Sequence, residues 1–101
     1  MSLKINESKT SAQTAVALSG RLDTTTAPEL ETRLRELLPE TDALVLDFSA
    51  LDYISSAGLR VLLVAQKEMN KKHGQMTLTH VNETVKEVLE VTGFTDILTI
   101  A

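Results

Sequence analysis

The sequence contains no cysteine, which excludes disulfides, thiolate metal centres and thiol chemistry. It is almost as poor in aromatics, with three in 101 residues. Any core must therefore be aliphatic, and a surface that stacks nucleic-acid bases has little to work with. A basic excess is missing too: ten lysines and arginines stand against fourteen acidic residues, a formal charge of −4. That balance argues against a partner bound through its phosphate backbone. No apolar run approaches the roughly 18 residues that would suggest a membrane span, and no opening stretch resembles a signal peptide. A cytoplasmic protein with no membrane insertion is expected. No repeat, low-complexity tract or linker divides the chain. Its length and 43% apolar content fit one domain, residues 1–101, around a single core.

What is present alternates. Met1 to Glu7 and Gln13 to Ser19 read as two short strands joined by a turn at Ser8-Lys9-Thr10-Ser11. Gly20 marks a bulge or a close backbone approach. Thr26-Ala-Pro-Glu29 reads as a capping box, with Thr26 as cap, Glu29 reaching back and Pro28 in the first turn. The helix it opens buries Leu30, Leu34, Leu37 and Leu38 and stops at Pro39. Ala43 to Phe48 reads as a buried strand, followed by a polar connection in which Asp47 and Asp52 form turns around Ser49-Ala50-Leu51. A second helix follows, with a stripe of Leu59, Leu62, Leu63, Gln66 and Met69, widened by Val61, Val64 and Ala65. It should end at Asn70-Lys-Lys-His-Gly74, with Gly74 as the stop. Met76 to Val81 is a further strand, and Asn82 caps a last helix whose Val85, Val88 and Leu89 face inward. Gly93-Phe94 reads as a Schellman stop, and Ile97 to Ile100 as a final edge strand. The order β-β-α-β-α-β-α-β predicts an α/β domain, a mixed and mostly parallel sheet of about five strands with helices against it.

Chemistry concentrates where the central strand gives way to the central helix. Ser55 and Ser56 sit beside first-turn amides that lack partners inside the helix and carry the positive end of its dipole, a place suited to a phosphate. Either serine could equally be an N-cap. There is no Gly-x-x-x-x-Gly-Lys, no Gly-x-Gly-x-x-Gly and no Gly-x-Ser-x-Gly. In an alternating fold, sites gather beyond the carboxyl ends of parallel strands. Here that edge collects Asp23 to Thr26, Asp47 to Ser49, the two serines and Asn82. Two loop carboxylates without Asp-x-Asp-x-Asp spacing make a poor metal site. His73 and His80, the two imidazoles, have no neighbour in sequence that would make either a base. Arg60, Lys67 and Lys71 share a helix face, either solvated or a rim toward an acidic partner.

Tyr53-Ile-Ser-Ser-Ala-Gly-Leu-Arg-Val-Leu-Leu63 resembles the signature of STAS domains, in particular the bacterial anti-sigma factor antagonists. Gly20-Arg-Leu-Asp23, about thirty residues upstream, resembles a second tetrad common in that family. The resemblance implies a binding switch. The unphosphorylated domain would dock on an anti-sigma factor with serine kinase activity and release a sigma factor, and phosphorylation would end the contact. Registered on Gly58-Leu59, the phosphoacceptor falls on Ser56, with Ser55 as a rival. The family's preceding aspartate falls on Ser55 and its second hydroxyl on Ala57. Partner contacts are expected from Asp23, Thr24, Ser55, Ser56, Ala57, Gly58 and Arg60. The resemblance implies no catalytic residue, metal or cofactor in this chain; ATP and Mg²⁺ belong to the kinase, and a phosphatase resets the switch. Two other readings stand beside it: a STAS scaffold or accessory subunit without a switch, and a small enzyme with Ser56 as nucleophile.

Overall fold

The computed structural model describes residues 3–101. Strands β1 (Leu3–Lys9) and β2 (Thr14–Leu22) form a hairpin, followed by α1 (Ala27–Leu37), β3 (Ala43–Ile54), α2 (Ser56–Lys71), β4 (Gln75–Thr79), α3 (Glu83–Val91) and β5 (Thr99–Ile100). The five strands lie side by side in chain order, β1 antiparallel to β2 and the rest parallel. The mixed five-stranded sheet expected above is therefore the one observed. Each parallel crossover moves one place in the same direction, and right-handed crossovers then bring all three helices to one face. Burial agrees: Val16, Leu18, Leu44, Leu46, Met76 and Leu78 are buried beneath them. The other face, where Asn6, Ala17, Asp47 and Thr79 form a row, is only partly covered. The core is aliphatic apart from Phe48.

Several expected boundaries move, each for a reason beyond local sequence. Met1 and Ser2 lie outside the described residues, and β1 runs on to Lys9, so the turn falls at Thr10–Gln13 instead. Thr10 holds it, its hydroxyl accepting from the amides of Ala12 and Gln13. β2 continues through Gly20 to Leu22. Gly20 has φ +108°, beside one of two register shifts against β3.

The polar connection after Phe48 is in fact strand. β3 reaches Ile54 because β2 offers it partners that far: Ser19 pairs Ala50, Gly20 pairs Leu51 and Leu22 pairs Ile54. Two extra residues are absorbed as bulges, between Asp47 and Ala50 and between Leu51 and Tyr53. Burial there falls on Phe48, Leu51 and Ile54, every third residue. Asp47 keeps its local bond, accepting from the Ser49 amide at 2.9 Å, but within a bulge and not a turn.

Helix ends also differ. Thr26 precedes α1 but makes no side-chain cap. Its buried hydroxyl instead donates to the Arg21 carbonyl (2.7 Å) and accepts from the Asp23 amide (2.9 Å). At the end of α2 the left-handed residue is His73 (φ 58°), not Gly74. His73 donates to the Asn70 carbonyl and Gly74 to that of Met69, a Schellman pair. Gly74 is needed for space, since a Cβ would stand 2.9 Å from the Asp42 carbonyl oxygen. β4 stops at Thr79, before a left-handed His80. Gly93 is left-handed as expected, and Phe94 begins a short 3-10 turn, packing against the core. β5 keeps only Thr99 and Ile100 at the sheet edge. On α2 the apolar stripe is narrower than its spacing suggests: Leu63 is half-buried and Val64 is 46% exposed.

Candidate functional site

The ends of β2 and β3 decide how α2 begins. The Ser55 amide donates to the Leu22 carbonyl at 2.9 Å, so the residue before the helix is bonded to the neighbouring strand. Ser55 is extended (φ −101°, ψ 175°), and its hydroxyl accepts from the Gly58 amide at 3.4 Å. It is the N-cap. Ser56 is the first helical residue and is exposed, and no hydrogen bond engages its hydroxyl among the described residues. Gly58 is buried because the first turn lies hard against the strand ends: a Cβ there would stand 2.7 Å from Leu22 Cγ and 3.0 Å from Ile54 Cγ1. Ala57 is half-buried and Arg60 exposed. Arg60 lies one helical turn after Ser56 and makes no ion pair among the described residues.

The loop after β2 stands beside this turn. Asp23 Oδ1 accepts from the amides of Thr25 (3.0 Å) and Thr26 (3.1 Å) and from the Thr25 hydroxyl (2.7 Å). The Thr25 hydroxyl, with these amides, holds the Asp23 carboxyl below its ordinary range, against an opposing push from burial. Asp23 thereby takes the capping role that the sequence assigns to Thr26. Its other oxygen lies 3.7 Å from Arg21 Nε, and the Arg21 guanidinium stacks on the Tyr53 ring, 4.2 Å from its centroid. Thr24 is exposed at the tip.

On the open sheet face, within β3, Asp47 Oδ1 lies 3.2 Å from His80 Nδ1. Its carboxyl is held low mainly by the Ser49 amide, with smaller help from His80. Asn82 closes the row. Its Oδ1 caps α3 at the Val85 amide (2.9 Å), and its Nδ2 donates to the Leu51 carbonyl in the β3 bulge (2.7 Å). Of the groups assigned to this edge, Asp23 to Thr26, Ser55-Ser56 and Asn82 follow the ends of β2, β3 and β4, whereas Asp47 lies seven residues before the end of β3, paired with Ala17 and Thr79 in the row on the open sheet face, because β3 runs on to Ile54.

Other groups lie elsewhere. Lys67 and Lys71 are exposed further along α2, Lys71 beside Glu68 at 3.2 Å. His73 is at the opposite end of that helix. Neither imidazole bonds to a serine among the described residues, and no group of three metal-ligating side chains occurs among them. No helix is long and apolar enough to cross a membrane among them either.

Two features escaped the sequence reading. One is the Arg21–Tyr53 stack; the signal was faint, alternate outward positions on two strands whose pairing was not foreseen. The other is a groove of about 510 Å³ along the seam of α1 and α2. It continues into a smaller hollow of about 190 Å³ beside Thr24, Ala57 and Arg60. Exposed Val64, at what looked like a core position, was its trace.

Comparison with known proteins gives a consistent picture. A family model described as STAS domain matches residues 4–101. A curated relative in Bordetella bronchiseptica, described as "Putative anti-sigma factor antagonist BtrV", is 34% identical over 100 residues, covering 98% of this chain and 86% of its own. Among solved structures, an anti-sigma factor antagonist from Mycobacterium paratuberculosis superposes with a TM-score of 0.87 at 23% identity, over 97% of this chain and 84% of that one. The Bacillus antagonist SpoIIAA, solved unphosphorylated and phosphorylated, gives TM-scores of 0.83 and 0.77 at 17% identity. The matches cover 97% of this chain and 88% and 91% of those. At such identities the structures speak for the fold.

Proposed function

The chain belongs to the STAS domain family, and from that premise we propose that it is an anti-sigma factor antagonist switched by phosphorylation of Ser56. The unphosphorylated protein, a single domain of residues 1–101 in the cytoplasm, binds an anti-sigma factor through the carboxyl edge and the start of α2, and a sigma factor is released. The partner's serine kinase activity, using ATP and Mg²⁺ that it holds itself, transfers a phosphoryl group to Ser56 and ends the contact. A phosphatase restores it. The chain acts by binding and not by catalysis. Asp23, Thr24, Ser55, Ser56, Ala57 and Arg60 form the contact surface, with Gly58 supporting it from beneath.

One observation carries this reading: of the two adjacent hydroxyls, Ser55's is committed to the helix cap and Ser56's is exposed and unengaged. A kinase needs the second kind. The new phosphate adds about −1.5 to −2 charges beside the helix's unpaired amides, within one turn of Arg60, where i,i+4 pairs meet. It is tolerated by the fold while opposing a partner that had desolvated this spot.

The test is labelling by the cognate anti-sigma factor with ATP. Wild type and Ser55→Ala should each take up one phosphate, and Ser56→Ala none while still binding. Stoichiometric label on Ser56→Ala would move the acceptor elsewhere. Absence of phosphate on protein isolated from cells, with or without phosphatase treatment, would favour a scaffold without a switch.

A further inference from the structure

The α1–α2 groove, about 510 Å³, is not used by the proposed role. Leu34, Leu38 and Pro39 line one side, Val61, Val64 and Ala65 the other. Lys72 walls off the far end, donating to the carbonyls of Leu38 (2.6 Å) and Thr41 (2.8 Å). The near end is open. There the smaller hollow, which shares Glu31, Val61 and Val64 with the groove, runs up to Thr24, Ala57 and Arg60. Groove and switch therefore form one continuous surface, with Val64 at the junction, exposed for 46% of its area.

We infer that this groove receives an amphipathic helix of the anti-sigma factor, an inference that rests on the function proposed above. Three observations converge on that occupant. A stable protein contact takes about 20–30 residues a side, far more than the switch residues supply, so a partner seated on Ser56 must spread. In one direction lies the open sheet face, flat and made of Ala17, Asp47, Thr79 and their neighbours; in the other lies an apolar trough. From Ala57 to Lys72 the trough follows α2 for about 22 Å. A trough between two packed helices takes a third by ridges and grooves, with aliphatic anchors at i, i+3 or i+4, and i+7. Charge sets its direction. Arg35 and Lys71 are occupied by Glu31 and Glu68, whereas Arg60 makes no ion pair among the described residues, so an acidic residue of the incoming helix belongs at the Arg60 end. Phosphate on Ser56 would compete for Arg60 and loosen the helix as well as the switch.

The experiment uses the purified anti-sigma factor that binds wild type, with calorimetry and methyl NMR of the full chain. Val64→Asp places a charge in the trough at an exposed position and should weaken binding tenfold or more with an unchanged melting temperature; Val64→Ala should weaken it less. Should Val64→Asp fail to fold, the wild-type spectra still decide. Methyls of Leu34, Leu38 and Val64 should shift on binding together with resonances around Ser56. Shifts confined to the Ser56 end, or Val64→Asp binding within twofold of wild type, would overturn the groove while leaving the switch standing. A loss of self-association in free Val64→Asp, seen by sedimentation, would make the occupant a second copy and overturn it too. If no anti-sigma factor bound wild type, the function and the groove would fall together.

Discussion

The two ends of α2 are built on opposite principles. Its carboxyl end is pinned: His73 and Gly74 close a Schellman pair, and Lys72 reaches across to carbonyls of the segment after α1. At its amino end the cap is a single long hydrogen bond from Ser55, and the next residue carries a hydroxyl with no partner among the described residues. One end anchors the helix. The other keeps donors and a hydroxyl available for something that comes and goes. What makes the open end affordable is Gly58, which lets the first turn rest directly on Leu22 and Ile54.

The sharpest way to break the contrast is Gly58→Ala. The added methyl meets two core side chains of β2 and β3, so overpacking should cost about 1–3 kcal/mol. That lowers the melting temperature by roughly 5–15 °C for a domain of this size. A change under 2 °C would mean that the open end does not depend on that close approach. Ser55→Ala removes the cap and should cost about 0.5–1 kcal/mol, read by thermal unfolding, whereas Ser56→Ala should cost almost nothing. If the two serines reversed in that comparison, the cap and the free hydroxyl would have been assigned the wrong way round.

A smaller effect tests the loop beside the open end. The carboxyls of Asp23 and Asp47 sit below their ordinary value of 3.8. Their contribution to stability is full above that value and is lost as pH falls through the lower folded one. The melting temperature should therefore decline below about pH 4, and Asp23→Asn should flatten that decline; an unchanged acid limb would deny Asp23 its capping role. At neutral pH the same variant should weaken binding of the anti-sigma factor, with a calorimetric affinity within twofold of wild type as the contrary result. Smallest of all is the effect of phosphorylation on the fold. The helix dipole favours it by roughly 0.3–1 kcal/mol and Arg60, four residues on, by roughly 0.2–0.5 kcal/mol. A drop of more than about 5 °C, or lost amide protection from Ala57 to Met69, would replace a surface switch with an unfolding one.

Local chemistry made much of this legible. The strand-helix alternation, Pro39, Asn82 and left-handed Gly93 all depend on one residue's own backbone or on its near neighbours. The misses depended on distant ones. Ser49 to Tyr53 read as a polar turn because nothing local announces that β2 will pair with it. Thr26 and Glu29 spell a capping box, yet the Thr26 hydroxyl accepts instead from the Asp23 amide and donates to the Arg21 carbonyl at the end of the neighbouring strand. Val64 and Leu59 are alike in chemistry, and only the placement of α1 leaves one exposed. At the site, the pair of serines stood out in the sequence, but the division of labour between them came from a bond that Ser55's backbone makes to Leu22.

The order of strands in the sheet is the order of strands in the chain. No strand has to be threaded between two that are already paired, so the sheet can grow by accretion as the chain emerges, each new strand finding its template complete. The hairpin of β1 and β2 comes first and needs only a short loop to close. β3 can then dock on a finished edge, and its long pairing with β2, bulges included, needs nothing from beyond Ile54. β5, two residues held by one neighbour, is last on and should be first off, the earliest part of the sheet to exchange its amides in native conditions.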